Sequence, residues 1–207
     1  QASYGGCNGQ AINHCDYDFV AKAGETQAKW DYNYATRAFV QVTTSVKADN
    51  PFAISFAGNA AGRVNITSNS SVLQNGTIVN PSGTTTIIAS GGSFTQTNNA
   101  TILSNDLNLS ARDSIGTQTT AIKATLTAGA QLNATAGSGG INLDITGSAR
   151  VVALRADQNS GAYGDVKAQA TGSLEAVATG APDVVGRNIT LVSDEGSIGS
   201  TSNLMQM

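Results

Sequence analysis

The chain has 207 residues, 11 Lys and Arg against 14 Asp and Glu, and only 12% charged residues, giving a net charge of −3. Its basic residues are scattered singly from Lys22 to Arg187, so the clustered cations that phosphate contacts require are missing and no nucleic-acid partner is expected. No stretch approaches the roughly 20 consecutive apolar residues of a membrane helix, so no membrane span is expected.

Ala, Gly, Thr, Ser and Asn together supply 114 of the 207 residues. An ordinary enzyme domain is richer in Leu, Glu and Lys. Small polar residues mixed with Val and Ile disfavour long helices and favour short strands joined by tight turns.

The chain begins at Gln1 rather than Met, which suits a processed secretory protein or a piece cut from a longer one. Cys7 and Cys15 lie eight positions apart among turn-forming residues. A bridge and two free thiols both fit that spacing, since sequence fixes no geometry. An oxidising compartment favours the bridge, and a Cys7–Cys15 disulfide is the expectation. His14 is the single histidine, and adjacency to Cys15 does not place a nucleophile, a base and an orienting group together. His14, Cys7, Cys15 and Asp16 offer metal-ligand types without a recognised spacing. No catalytic residue, metal site or cofactor is therefore expected.

Asp16 and Asp18 alternate as on one strand face, and Ala38 to Val46 (AFVQVTTSV) alternates as a strand. Trp30, Tyr32 and Tyr34 alternate in WDYNY, which suits either packing of this segment or an aromatic sugar-binding platform. Nine of the eleven aromatic residues precede residue 57. Residues 1–50 thus read as an aromatic-rich cap, insertion or preceding segment, and residues 51–207 as a separate body.

In that body apolar pairs with one residue between them recur beside Gly, Asn, Asp or Ser: Val64/Ile66, Leu107/Leu109, Ile141/Leu143, Val152/Leu154 and Ile189/Leu191. Each reads as a short period-2 strand, too short to bury a face alone. The segments LNLSARDSIG (107–116) and ITLVSDEGSIG (189–199) look alike, and their Ile115 and Ile198 are 83 positions apart. Four repeats of roughly 20 residues fit that distance. No 3.6-residue period appears within a repeat, so the fold class expected is all-β, a right-handed parallel β-helix (β-solenoid) of about seven or eight coils.

Gly76–Ser93 (GTIVNPSGTTTIIASGGS), Asn108–Gly116 and Arg187–Gly199 resemble the passenger repeats of large filamentous haemagglutinin-like bacterial exoproteins. The similarity spans about residues 58–200 and is closest to the leukotoxin-related filamentous adhesins, with their G-x-I-x-N-P-x-G-x-T repeats. The resemblance implies two-partner secretion to the cell surface or extracellular matrix, and a role in adhesion or biofilm building. It also implies that this chain is an internal segment of a far longer protein. The partners it implies are further repeats or other copies of the parent chain, with surface polysaccharide or a host receptor as the ligand.

The rival reading is a carbohydrate-active β-helix enzyme, which Asp, Arg or Lys clustered on one solenoid face would support; a sugar-binding module built on Trp30, Tyr32 and Tyr34 is a further alternative. Asp194-Glu195 reads as a solvated corner, like Arg112-Asp113-Ser114. Gly137–Gly140 (GSGG) lacks the Lys of a phosphate loop, and calcium-binding nonapeptide repeats are absent. Asn65, Asn69, Asn75, Asn99, Asn108, Asn133 and Asn188 sit in Asn-x-Ser/Thr triplets, which an Asn/Ser/Thr-rich solenoid produces by composition. Nothing after Ile198 reads as able to cap the solenoid, STSNLMQM being short. The expected bridge between Cys7 and Cys15 closes a short loop and contributes about 2 kcal/mol in the chain-entropy picture. Alkylation of freshly purified, unreduced protein should label neither thiol; two alkylated cysteines in the mass spectrum would contradict it.

Overall fold

The computed structural model describes residues 62–157, 161–177, 183–202 and 204–207, together with the strand pairing of 2–4, 16–19, 26–33, 38–46 and 54–55. Among the described residues there are strands, turns and bends but no helix. The chain divides into two compact units, Gln1–Pro51 and Phe52–Met207. Cys7, His14, Cys15 and Tyr34 lie outside the described residues.

The first unit holds β1 (Ala2–Tyr4), β2 (Asp16–Phe19), β3 (Thr26–Asn33) and β4 (Ala38–Val46), paired antiparallel in chain order. The alternating run from Ala38 to Val46 is β4, as its pattern predicts. On β3, Trp30 is in register with Tyr17 and Gln41, and Tyr32 with Phe39.

The second unit is a parallel β-solenoid of about six turns. Each turn runs through three strand positions. The first position is stacked from β6 (Arg63–Ser68), the second half of β8 (Thr77–Ala89), the second half of β10 (Thr101–Ala111), β13 (Gln131–Ala136), β15 (Ala149–Ala156) and β18 (Val184–Val185). The second comprises β7 (Val72–Gln74), β9 (Phe94–Gln96), β11 (Ser114–Ile115) and the starts of β14 (Gly140–Thr146), β16 (Val166–Ala170) and β19 (Ile189–Ser193). The third is built from β5 (Ile54–Ser55), the first halves of β8 and β10, β12 (Ile122–Leu126), and the ends of β14, β16 and β19. A further strand, β17 (Leu174–Ala176), pairs with the start of β15.

Register puts like above like. Ile66, Ile87, Leu109, Ala134, Leu154 and Val184 form one column. Val72, Phe94, Ile115, Ile141, Val166 and Ile189 form a second. Ile78, Ile102, Ala124, Ile145 and Ala170 form a third. Backbone pairing spaces neighbours by about 4.8 Å, so each inward side chain packs on the one below. Leu109 and Leu143 are buried as the apolar pairs predict, while Ile66 and Leu191, in outer turns, are only partly buried against the same core.

Three details differ from the sequence reading. Equivalent positions are 20 to 26 residues apart along most of the stack, as from Ala134 to Leu154 and from Ile115 to Ile141, so the body makes about six turns rather than seven or eight. The inward pair on β15 is Val151 and Leu154, because a register slip opposite Leu132/Asn133 puts one extra residue between them and turns Val152 partly outward. The two Ser-Ile-Gly segments are not equivalent: Ile115 stacks between Phe94 and Ile141, whereas Ile198 bridges Leu174 above Ala149. The likeness therefore joins corners a fraction of a turn out of phase.

Side chains bond the backbone at the corners, although Asn80 Oδ1 is buried without a partner. Gln96 Nε2 donates to Gln74 Oε1 at 2.9 Å, Gln74 Nε2 donates to the Gly76 and Thr101 carbonyls, and Gln96 Oε1 accepts from the Lys123 N–H at 2.7 Å. Such a buried amide ladder is tolerable because its members have partners. In Asn80-Pro81-Ser82-Gly83 the Asn80 amide turns inward and donates to the Gly62 and Thr84 carbonyls. A Cβ on Gly83 would stand 1.9 Å from the Gly62 carbonyl oxygen, so the turn admits glycine alone. At the last turn, the Asp183 and Val184 N–H groups donate to the Gln206 carbonyl, the Gln206 N–H donates to Asp183 Oδ2 at 2.9 Å, and Met205 packs on the core. Residues 204–207 thus cover part of a turn that the sequence reading left uncovered.

Replacing the fully buried Leu132 with alanine should cost about 2–5 kcal/mol, read by urea unfolding, and the same change at Ile66 should cost clearly less. Gly83→Ala should destabilise as a backbone clash does, with no rescue by a neighbouring small-to-large change.

Candidate functional site

A cleft of about 320 Å³ opens on the side of the solenoid, lined by residues from four successive turns. Its origin is a corner of unequal length. In the turns of β14, β16 and β19 the second and third strand positions follow one another directly, but after β11 the chain detours through residues 116–121 before β12. Gly116 starts the detour at a φ of 73°, in the left-handed region where glycine is unstrained. The Thr117 N–H donates to the Thr120 carbonyl at 2.8 Å, and Thr117 Oγ1 accepts from the Thr120 N–H at 2.9 Å. These bonds hold the detour as a compact turn.

That turn overhangs β14. Asn142 alternates with the inward Ile141 and Leu143 and would face solvent on a bare rung, yet it is 7% exposed. Its Nδ2 donates to the Thr117 carbonyl at 2.7 Å, while its Oδ1 is buried and has no hydrogen-bond partner. A buried amide oxygen without a donor is costly. On the neighbouring rungs Asn142 is in register with Lys167, and Lys167 with Thr190, so the three form an outward ladder across the cleft. Lys167 is exposed and, among the described residues, has no ion-pair or hydrogen-bond partner.

Beside this ladder Arg187 Nε donates to Asp165 Oδ1 at 2.9 Å, and Asn188 Nδ2 donates to the same oxygen at 2.9 Å. The Arg187 bond is the main cause that holds the Asp165 carboxyl below the usual aspartate range, with Asn188 assisting, and the carboxylate in turn raises Arg187. Both side chains remain well exposed, 63% for Arg187 and 43% for Asp165.

Sequence reasoning singled out none of these residues except Asn188, and that as a sequon. Asp165 and Arg187 are 22 positions apart, Asn142 and Lys167 are 25 apart, and each interval is one turn; only the register brings them together. Trp30 and Tyr32 lie on β3 of the other unit. Asp194-Glu195 is an exposed corner as read, with Gln169 Nε2 donating to Asp194. Among the described residues no group of three or more His, Cys, Asp or Glu is placed to hold a metal ion, and no helix is long and apolar enough to cross a membrane. No protein family, curated protein or solved structure matches this chain.

Because the fold lowers the Asp165 pKa, the pairing with Arg187 adds stability above the unfolded aspartate value and loses it as pH falls through the folded one. Carboxyl NMR should find Asp165 titrating below the ordinary value of about 3.9, and Arg187→Gln should move it back up. The melting temperature at neutral pH should barely change, since exposed ion pairs contribute little. Asn142→Ala should speed amide exchange at Thr120 and leave the rung amides protected.

Proposed function

We propose that this chain is a structural rod segment of a secreted bacterial cell-surface adhesin or extracellular filament, wound as a right-handed β-helix. The observation that carries the reading is the parallel stack, in which apolar columns run along the inside while Thr, Ser and Asn are the commonest outward residues. Such a stack gains length by repeating one supersecondary unit, and each unit contacts chiefly its neighbours. Right-handed winding accords with the strong preference of parallel strand connections. The resemblance to filamentous haemagglutinin-like repeats adds support, since its most distinctive element, Asn80-Pro81-Ser82-Gly83, forms a solenoid corner held by the Asn80 amide.

One observation favours a second, carbohydrate-directed reading: Asp165, Lys167 and Arg187 cluster on one face of the solenoid. Hydrolysis of a glycoside needs two carboxyl groups at a defined separation. Among the described lining residues Asp165 is the one carboxylate, and it is engaged by Arg187. The cluster suits recognition of a sugar better than its cleavage.

Antibodies raised against this chain should label intact cells of the native organism, and external protease should remove the label. Deleting the segment from the parent gene should reduce cell attachment or filament length. Labelling only after cells are broken open would overturn the rod reading, and release of new reducing ends from a polysaccharide, lost in Asp165→Asn, would replace it with the enzymatic one.

A further inference from the structure

The geometry points to the cleft over β14, β16 and β19 as a binding site for an acidic sugar, whose carboxylate pairs with Lys167 and whose hydroxyl satisfies Asn142 Oδ1, directly or through one bridging water. The inference does not depend on the rod reading, because the cleft is complete within one chain and needs no particular location of the protein.

Four features select this ligand class. Lys167 is an ammonium without a protein partner among the described residues, in the middle of the cleft, so the site has one cation to spare once Arg187 and Asp165 have paired. A single surplus positive charge suits a monoanion. A phosphate or nucleotide, carrying more negative charge, would meet the Asp165 carboxylate that also lines the cleft. Next, Asn142 in the cleft lining supplies a buried acceptor with no protein donor, a place for an O–H or N–H from outside the protein or for a trapped water with further polar partners. The other such oxygen among the described residues, Asn80 Oδ1, lies away from the cleft. The rim, formed by Thr117, Gln118, Asn188 and Thr190, carries hydroxyls and amides that both donate and accept, matching a polyol rather than an apolar guest. Lastly, the size, about 320 Å³, lies at the low end of small-molecule sites, roughly 300–1,000 Å³. A peptide adding a strand cannot enter at β14 or β16, which are paired on both sides, β14 with β12 and β16, and β16 with β14 and β19; β19, paired with β16, ends the row.

The ladder geometry also explains why the cation sits where it does. Asn142, Lys167 and Thr190 are successive outward positions about 4.8 Å apart, which spaces an acceptor, a cation and a hydroxyl across the span of one or two sugar rings. The 116–121 turn closes one end of that row, and the Asp165–Arg187 pair flanks it.

The test is calorimetric titration of the whole chain with tetragalacturonate and with the neutral cellotetraose, backed by NMR of the labelled protein. Saturable binding of tetragalacturonate is expected, with amide shifts concentrated at Asn142, Lys167 and Thr190. Cellotetraose should bind at least about tenfold more weakly. Lys167→Gln, at an exposed position that leaves the melting temperature unchanged, should weaken tetragalacturonate by about tenfold or more and leave cellotetraose unaffected. Lys123→Gln, an exposed lysine at the third strand position, is the control and should have no effect. Equal affinity for the acidic and neutral tetrasaccharides would overturn the inference, as would equal losses in the two lysine variants, which would show unspecific attraction. Absence of binding at millimolar concentration, or shifts confined to Trp30 and Tyr32, would overturn it as well.

Discussion

The inner rungs of this solenoid pair their backbone donors and acceptors chiefly with the rungs on either side, and that requirement governs the rest of the structure. Parallel pairing without slip forces equivalent residues of successive turns into columns, and a column tolerates only side chains that can stack on their own kind. Apolar residues stack inside for this reason, and so do Gln74 and Gln96, whose amides are complementary to each other. At the corners the same rule produces serine ladders, Ser71, Ser93 and Ser114 in one and Ser148, Ser173 and Ser197 in another, in which a hydroxyl bonds the amide or hydroxyl of the serine one turn on.

Much of this order was legible in the chain itself. The apolar pairs at Leu107/Leu109 and Ile141/Leu143 predict inward positions that are buried, and alternation alone marks Ala38–Val46 as a strand. What failed did so for one reason, that phase around the turn is not written in local pattern. Ser-Ile-Gly at 114–116 and at 197–199 reads identically, yet Ile115 is buried in an apolar column while Ile198 is exposed and bridges Leu174, so likeness of sequence did not mean likeness of position. Val152 looked inward because alternation was carried through a bulge that only the partner strand reveals.

The cleft was invisible for a related reason. Asn142, Asp165, Lys167 and Arg187 are ordinary surface residues one by one, separated by whole turns. Two events bring them together: the register that aligns Asn142 with Lys167, and the detour at 116–121 that roofs Asn142 and leaves its oxygen unsatisfied. A reader with the coil boundaries in hand would have found the row by stepping 22 to 25 residues at a time. Without them, the scattered charges argue only against nucleic acid, on composition and without pointing to any site.

The length of a turn also sets how the body yields under tension along its axis. Each rung adds only about 4.8 Å to the folded height, yet a turn of 22 residues, the interval between Ile87 and Leu109, reaches about 75 Å when drawn out at roughly 3.4 Å per residue. Peeling one edge rung breaks a single row of backbone bonds and leaves the remaining stack intact. Pulled from its ends, the molecule lengthens in discrete steps of roughly fifteenfold per rung, dissipating load turn by turn.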